Sequence, residues 1–395
     1  MDFVKKTLGD LTVGKGQYGI GASAVDYSED LYTYLRITDI NDDGTLNVNN
    51  LKSINDKNAE RYLLQPNDIV FARTGNTTGR NYFYDGTDGI LVYAGFLIKF
   101  SIDSSKVNPK YIKYYCMSDE YKGWVQGHLT GSTRGNINAQ TYANMEISIP
   151  PREQQNRIVS ILEELERKRK NNIAINRNLY EQAVALFEAM YQGYPVKKIG
   201  ELDIFVTDYV ANGSFASLKE NVIILEEKNY AYFIRNVDLK AKEFPRFVNQ
   251  NSYEFLSKSK LVGGEVIISN VGDVGSVFLC PKLDGPMTLG NNMIMLTSPK
   301  HNNYLYLFFK SYIGQGKIGG ITGGSAQPKF NKTDFKSLEI NYPDESQVDE
   351  FNEKTSALLD MISKLDEENK RLTALRDSLL PKLMSGELDI SDLDI

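Results

Sequence analysis

Hydrophobic residues follow a short-period pattern in two parts of the chain, residues 1–150 and 195–343. Segments rich in Tyr, Val, Ile and Phe are separated there by turn residues, which is typical of β-strands. These segments are YTYLRITDI (32–40), DIVFAR (68–73), GILVYAGFLIKF (89–100), YAYFIRNVDL (230–239), EVIISNV (265–271), SVFLC (276–280) and NMIMLTS (292–298). Helical segments follow, opened by NPKYIKYYC (108–116) and NNYLYLFFK (302–310). Each part is therefore predicted to be an α+β module with a mixed or mostly antiparallel sheet.

A long helical pattern follows each module, at 151–194 and 344–386. In the second helix, seam residues recur at alternating steps of four and three, the heptad spacing of a coiled coil: Phe351, Thr355, Leu358, Ile362, Leu365, Asn369, Leu372, Arg376, Leu379 and Leu383. A helix of some forty residues is about 60 Å long, more than one module needs for its own core. Because the chain must cross the second module before the second helix starts, the two helices are predicted to pair antiparallel. The alternative is that each helix folds against its own module.

The two modules with their helices are copies of each other. Residues 111–193 align with 304–386 without a gap, and DIVFARTGNTTG (68–79) matches EVIISNVGDVG (265–275). A period this long indicates a duplicated domain rather than a solenoid repeat. The predicted organisation is a module at 1–150, a helix at 151–194, a module at 195–343, a helix at 344–386 and an acidic tail at 387–395. Two similar modules suggest one partner that is contacted twice.

Composition restricts the classes of function. The net charge is −6, but residues 344–395 hold 6 basic and 14 acidic residues, so the modules themselves are close to neutral and nucleic acid is permitted as a partner. Cys116 and Cys280 lie far apart without a CxxC motif, which argues against a disulfide framework or a zinc site. With no apolar run near twenty residues and no leader pattern at the start, we expect a cytoplasmic protein without a membrane partner.

Motifs of catalysis are missing from the sequence. It contains no GxxxxGK[ST] phosphate-binding loop and no [DN]PP[YF] motif of adenine methyltransferases. NPKY (108–111) is similar only in spelling, and Asn108 is predicted to cap a helix. His128 and His301 lack the partners of a triad or metal site, so both are interpreted as surface or packing residues. We therefore expect neither catalysis nor a cofactor on this chain.

Two loops in each module carry groups that suit DNA. RTGNTTGR (73–80) offers Arg73, Thr77 and Arg80 among glycines that let a phosphate approach, although the same residues also make ordinary hairpin turns. Asn270 occupies the matched loop of the second module.

The loop TGSTRGNIN (130–138) is the stronger candidate, with two hydroxyls and a guanidinium suited to guanine or phosphate. Its candidate DNA-binding residues are Ser132, Thr133 and Arg134, and those of its counterpart are Ser325, Gln327 and Lys329. The matched Asn138 and Asn331 are predicted to be structural. Arg36 and Arg235 each precede an aspartate by three residues, so a local ion pair and a DNA contact both stay open.

The helix boundaries resemble those of a known family. The start carries P-x-x-E-Q at Pro150, Glu153 and Gln154, and the end carries LLPKLMSGEL (379–388). With these motifs the whole chain resembles the specificity subunit of type I restriction-modification systems. LFEAMYQG (186–193) departs from the second motif, and Ser346 stands where the first motif has Glu.

The resemblance implies two target-recognition domains that bind a bipartite site in double-stranded DNA. It also implies two methyltransferase subunits as partners, which bind S-adenosylmethionine and methylate adenine, and in some systems endonuclease subunits that translocate DNA. This chain would then be the non-catalytic recognition subunit. Two other functions stay open from the residues: a self-contained DNA methyltransferase, against which the missing cofactor motifs argue, and a duplicated protein-binding scaffold with the coiled coil as spacer.

Overall fold

The computed structural model describes residues 3–129, 135–324, 326–388 and 390. It divides into two compact units. Unit 1 comprises Met1–Asn171 and Glu368–Ile395, and unit 2 comprises Asn172–Glu367. Each unit therefore joins one module to part of each long helix, a division that the sequence pattern does not reveal.

Unit 1 contains ten strands among its described residues: β1 (Val4–Thr7), β2 (Gln17–Tyr18), β3 (Ala24–Asp26), β4 (Tyr32–Leu35), β5 (Lys52–Ile54), β6 (Asp68–Ala72), β7 (Asn81–Tyr84), β8 (Leu91–Tyr93), β9 (Leu97–Ser101) and β10 (Glu146–Ile149). Its helices are α1 (Pro109–Tyr115), α2 (Asp119–Leu129), α3 (Ala139–Ala143), the first part of α4 (Arg152–Met190) and the last part of α11 (Glu345–Ser385). As predicted, Asn108 caps α1, because its side-chain oxygen accepts a hydrogen bond from Lys110 N.

The strands of unit 1 form two four-stranded sheets and one pair. One sheet has the order β2-β9-β6-β7 and is antiparallel throughout, while the other, β3-β5-β4-β8, is mixed because β4 and β8 run parallel. The pair β1–β10 joins the two ends of the module, with Val4 opposite Ile149. The predicted α+β fold with mixed sheets is confirmed.

Unit 2 repeats this plan. Its strands are β11 (Val196–Lys198), β12 (Phe205–Asp208), β13 (Ile224–Leu225), β14 (Ala231–Ile234), β15 (Phe247–Val248), β16 (Lys260–Leu261), β17 (Val266–Ser269), β18 (Val277–Leu279), β19 (Met287–Leu289), β20 (Met293–Thr297) and β21 (Glu339–Asn341). Its helices are the last part of α4, α5 (Phe215–Asn221), α6 (Asn236–Ala241), α7 (Gln250–Phe255), α8 (Asn302–Lys310), α9 (Tyr312–Ile321), α10 (Lys332–Lys336) and the first part of α11 (Glu345–Ser385).

The sheets of unit 2 match those of unit 1 in order. The sheet β12-β20-β17-β18 is antiparallel, the sheet β13-β15-β14-β19-β16 is mixed through the parallel pair β14–β19, and β11 pairs with β21. Unit 2 differs by the short helices α5, α6 and α7 and by one more strand in its mixed sheet. The duplication in the sequence is therefore a duplication of topology.

Both long helices are present, with 39 residues in α4 and 41 in α11. Their segments run antiparallel within unit 1, where Arg157 Nη1 donates to Ile390 O at 3.0 Å and Lys168 pairs with Glu368 at 2.5 Å. Between them Ile158, Leu162, Leu380 and Leu383 are buried in one apolar cluster. Residue numbers increase along α4 in the direction in which they decrease along α11, so the two segments are antiparallel.

The helix segments of unit 2 are antiparallel as well. Asn176 Nδ2 donates to Asp366 Oδ1 at 3.0 Å, and further along, Phe187 and Phe351 both pack on the ring of Tyr304, with centroids 5.6 and 5.4 Å away. The helices also pack against the core of the module, because Phe187, Tyr304 and Phe351 belong to the core cluster beneath the sheet β12-β20-β17-β18. The helix seam and the module core are one apolar interior in each unit.

Two predicted strands are shorter than their sequence pattern. The run 32–40 leaves the sheet after Leu35, because Arg36 N donates to Asp39 Oδ2 at 2.9 Å and starts a helical turn. The run 230–239 ends at Ile234 for the same reason, since Arg235 and Asp238 form the same capping pair. The run 89–100 is two strands, β8 and β9, separated by the turn at 94–96.

Within the described residues, no helix has both the length and the apolar character that a membrane crossing requires.

His301 lies at the junction of the module and α11 in unit 2, and it should make that unit sensitive to acid. Its ring stacks on Tyr342 at 4.5 Å, Nε2 lies 3.3 Å from Pro343 O, and burial lowers the pKa of the imidazole. A lowered folded-state pKa means that the unfolded chain binds the proton more readily, so the free energy of unfolding falls as the pH drops below about 6.5.

This dependence is checked by the melting temperature of unit 2 between neutral pH and about pH 5. We expect the wild type to lose more stability over this range than His301→Gln, whereas His128→Gln, at an exposed position, should follow the wild type. Parallel curves for wild type and His301→Gln would contradict the assignment.

Candidate nucleic-acid interface

In unit 1, the candidate loop 73–80 joins β6 to β7 along a path that requires glycine. Gly75 and Gly79 have φ angles of +77° and +91°, in the left-handed region. A Cβ atom on Gly79 would lie 2.5 Å from Val125 Cγ1 of α2. Tyr121 Oη, also on α2, donates to Gly79 O at 2.6 Å. The loop is thus fixed against α2.

The second candidate loop of unit 1 lies against the first. Ile137 N donates to Arg73 O at 2.9 Å, and Thr74 forms a β-bridge with Asn136. Ser132, Thr133 and Arg134 lie outside the described residues, so their contacts stay a prediction. What the structure brings together is the loop 73–80 and the end of the loop 130–138.

Unit 2 builds the same pair of loops from different residues. Gly272 and Gly275 repeat the φ angles of +77° and +91°. Phe330 N donates to Asn270 O at 3.1 Å, and Val271 forms the bridge with Lys329. Gln315 of α9 makes the hydrogen bond that corresponds to that of Tyr121 in unit 1, since its Nε2 donates to Gly275 O at 2.9 Å. Ser325 lies outside the described residues.

Several predicted DNA-binding side chains are already bonded within their own unit. Arg80 Nε pairs with Asp42 Oδ1 at 2.6 Å, and its Nη1 donates to Ile40 O at 3.0 Å. Asn270 Nδ2 donates to Phe330 O at 3.2 Å, which ties the two loops of unit 2 together. Thr77 is half-buried with an Oγ1 that lacks a hydrogen-bond partner in the described structure. A DNA contact by Arg80 would have to replace its ion pair.

Gln327 and Lys329 are exposed on the second loop of unit 2, whose backbone is held by paired hydrogen bonds between Gly323 and Lys329.

The first loop of the same unit is held by charge. The Lys240 ammonium, helped by hydrogen bonds from Ser276 and Asn236, lowers the pKa of Asp273 to about 2. Asp273 therefore stays ionised and keeps the loop in place at any physiological pH.

Arg73 is placed differently from Arg80. Its guanidinium carbon lies 5.1 Å from the ring centroid of Tyr18 and 6.0 Å from that of Phe96. Both rings are substantially exposed, at 44% and 55%. Sequence reasoning missed the two aromatic residues. Phe96 lies within the strand predicted for residues 89–100, although Gly95 marks the turn, and Tyr18 lies in a strand of two residues that no periodic pattern reveals.

Other candidate polar residues have structural roles. As predicted, Asn138 and Asn331 are helix caps, with side-chain oxygens that accept from Thr141 N and Asp334 N at 2.9 Å. For Arg36 the alternative of a local ion pair is the one observed, with Asp39 at 2.6 Å, and Arg235 makes the equivalent pair at 2.6 Å. Among the described residues, no group of three or more His, Cys, Asp or Glu side chains could hold a metal ion.

Comparison with known proteins agrees with this architecture. The chain is 21% identical to the type I restriction enzyme HindI specificity subunit of Haemophilus influenzae, over 94% of this chain and 99% of the relative. It is 20% identical to a Methanocaldococcus jannaschii protein provisionally assigned as the MjaX specificity subunit, over 91% of this chain and 88% of the relative.

A solved structure shares the fold. The type I restriction-modification system S subunit from M. genitalium superposes with a TM-score of 0.57 at 16% identity, covering 97% of this chain and 96% of the other. The sequence model described as "Type I restriction modification DNA specificity domain" matches residues 2–181 and 210–375. Two matches of this kind, over two units with one topology, show that the chain belongs to the type I restriction-modification DNA specificity family.

Proposed function

We propose that this chain is the DNA-recognition subunit of a type I restriction-modification complex, in which each module reads one half of a bipartite site in double-stranded DNA. The observation that carries the proposal is the repeated loop pair. Both units hold two loops in one backbone geometry, with glycines of equal φ and matched bridges, while the side chains on the loops differ. One scaffold with two sets of side chains suits two different half-sites on one kind of partner.

The chemistry belongs to partner subunits in this proposal. Two methyltransferase subunits, with S-adenosylmethionine as their cofactor, methylate adenine at the site that this chain selects, and endonuclease subunits that translocate DNA join them where restriction occurs. The relatives are named as specificity subunits of restriction enzymes, which supports this division of labour. Because the partner is genomic DNA, the complex works in the cytoplasm.

Sequence selection by the assembled complex tests the proposal. The full chain and its methyltransferase partner are incubated with S-adenosylmethionine and a library of duplexes that have a randomised centre. We expect the methylated duplexes to share two short sequences separated by a gap without preference. The chain alone should transfer no methyl group, and the partner alone should show no sequence preference.

Two outcomes would contradict the proposal in different ways. Methyl transfer by the purified chain without its partner would favour the self-contained methyltransferase. If the partner methylated the same sequences with and without this chain, the chain would not direct methylation, and the alternative of a protein-binding scaffold would be favoured.

A further inference from the structure

Among the described arginines of the loops and the adjacent turn in unit 1, Arg73 differs from the other two. Arg36 and Arg80 are each paired with an aspartate at 2.6 Å. The buried Nε of Arg73 has no hydrogen-bond partner among the described residues. A buried donor without an acceptor is costly, so a partner that the described residues do not supply, such as an atom of a bound ligand, would stabilise this side chain.

The frame around Arg73 is rigid. Its backbone N donates to Phe96 O at 3.1 Å, and its backbone O accepts from Ile137 N at 2.9 Å. Tyr18 Oη accepts from Ala139 N at 3.2 Å, which fixes the ring at the start of α3. Because it lies over the rings of Tyr18 and Phe96, the flat guanidinium has few orientations and is pre-organised for a planar acceptor.

In unit 2, the position that corresponds to Arg73 has no arginine or lysine, so the two units can be compared at this place. In the matched registers, Ala72 faces Leu97 and Ser269 faces Met293, so Phe96 corresponds to Asn292. Tyr18 faces Ile98 and Asp208 faces Ile294, so Tyr18 corresponds to Asp208. The three positions 18, 73 and 96 thus match Asp208, Asn270 and Asn292.

Unit 2 uses these positions for internal bonds. Asn270 donates to Phe330 O, and Asp208 pairs with Lys332 at 3.3 Å. The scaffold therefore folds without an arginine or aromatic rings at these positions. The guanidinium of unit 1 is an addition to the scaffold, and its role lies in what unit 1 binds.

From this arrangement we infer that Arg73 reads a guanine in the half-site of the first module, with Tyr18 and Phe96 as positioning residues. The inference rests on the proposed DNA-recognition function. An arginine fork matches the O6 and N7 acceptors that guanine presents in the major groove. A phosphate offers similar acceptors, but two copies of one scaffold on one kind of DNA backbone would keep the same phosphate-binding group at the same position. Here the cation is present in one copy only.

Variants of Arg73 test the base contact by the same library selection with the full chain and its partner. Arg73→Gln should relax the guanine at one position of one half-site and weaken binding of the parent target about tenfold to hundredfold. Arg73→Lys should keep the salt dependence but lose most of the discrimination, since a point charge lacks the planar fork. Arg61→Gln, at an exposed arginine of the same unit, is the matched control and should leave the selected sequence unchanged.

Two results for Arg73→Gln would overturn the inference. A uniform loss of affinity on all sequences, with a smaller salt dependence, would mean a phosphate contact. An unchanged selected sequence would remove Arg73 from the interface. Both differ from a failure of the proposed function itself, in which the parent chain with its partner would select no sequence at all.

The positioning role of Tyr18 is tested by a pair of substitutions. Tyr18→Phe keeps the ring and should keep the preference for guanine, whereas Tyr18→Leu should weaken that preference and leave the rest of the half-site as it was. Melting curves of both variants check that the fold is intact. Equal guanine preference in Tyr18→Leu and the parent chain would show that the ring does not orient the arginine.

Discussion

Exchanging residues 1–150 for the corresponding module of another specificity subunit should replace one half of the methylated sequence and leave the other half unchanged. The physical reason is that the module closes on itself. Its first and last strands, β1 and β10, pair with Val4 opposite Ile149, so both chain ends leave at one place. Two of its apolar clusters lie entirely within residues 1–150. The third also includes residues of the long helices, but only of the helix segments in unit 1.

Mapping of methylated adenines in the variant measures this effect. The reciprocal exchange of residues 195–343, a module closed by the pair β11–β21, is the matched control and should alter the opposite half. If either exchange changed both halves together, the modules would not read independently.

Replacing the buried carboxylate Asp68 by alanine should destabilise unit 1 by about 3 kcal/mol. Asp68 is 1% exposed and accepts hydrogen bonds from Gln65 N at 2.8 Å and Ser101 Oγ at 2.5 Å, with Lys99 Nζ 3.4 Å away. Truncation would leave a backbone donor and an ammonium group without their acceptor inside the protein.

Glu265 gives the same test in unit 2, where it is 4% exposed and accepts from Val262 N and Gly263 N at 2.7 and 2.9 Å. Hydrogen exchange at the amides of each unit resolves the two effects, because each substitution should lower protection in its own unit. Asp26→Ala, which removes an exposed carboxylate of unit 1, should change little. Full protection in Asp68→Ala would mean that the carboxylate does not stabilise the fold.

Features that depend on neighbours in sequence were predictable. Asn138 and Asn331 cap the helices that begin at the next residue, and the pairing of Arg36 with an aspartate three positions later is one of the two alternatives that the sequence leaves open. The long helices were predictable as well, because the heptad spacing repeats over many turns. The duplication added a check, since a polar residue kept at the same position in both copies, such as Asn138, proved to be structural.

Features that depend on residues far apart in sequence were not predictable. Arg80 pairs with Asp42, which precedes it by 38 positions, and the sequence gives no sign that this arginine turns back onto its own module. The frame of Arg73 needs a two-residue strand, a turn after β8 and the start of α3 to meet at one place. Such a site is created by the pairing of strands, so only the three-dimensional structure shows that Tyr18 and Phe96 belong to it.

The most direct test of the account is a map of adenine methylation across a genome in cells that hold the methyltransferase partner with and without this chain. We predict one bipartite motif that is methylated only when the chain is present. Arg73→Gln should weaken the preference for guanine at one position in one half of that motif. Methylation of the same sites without the chain, or no methylation with it, would contradict the central claim that this chain directs the partner to its DNA target.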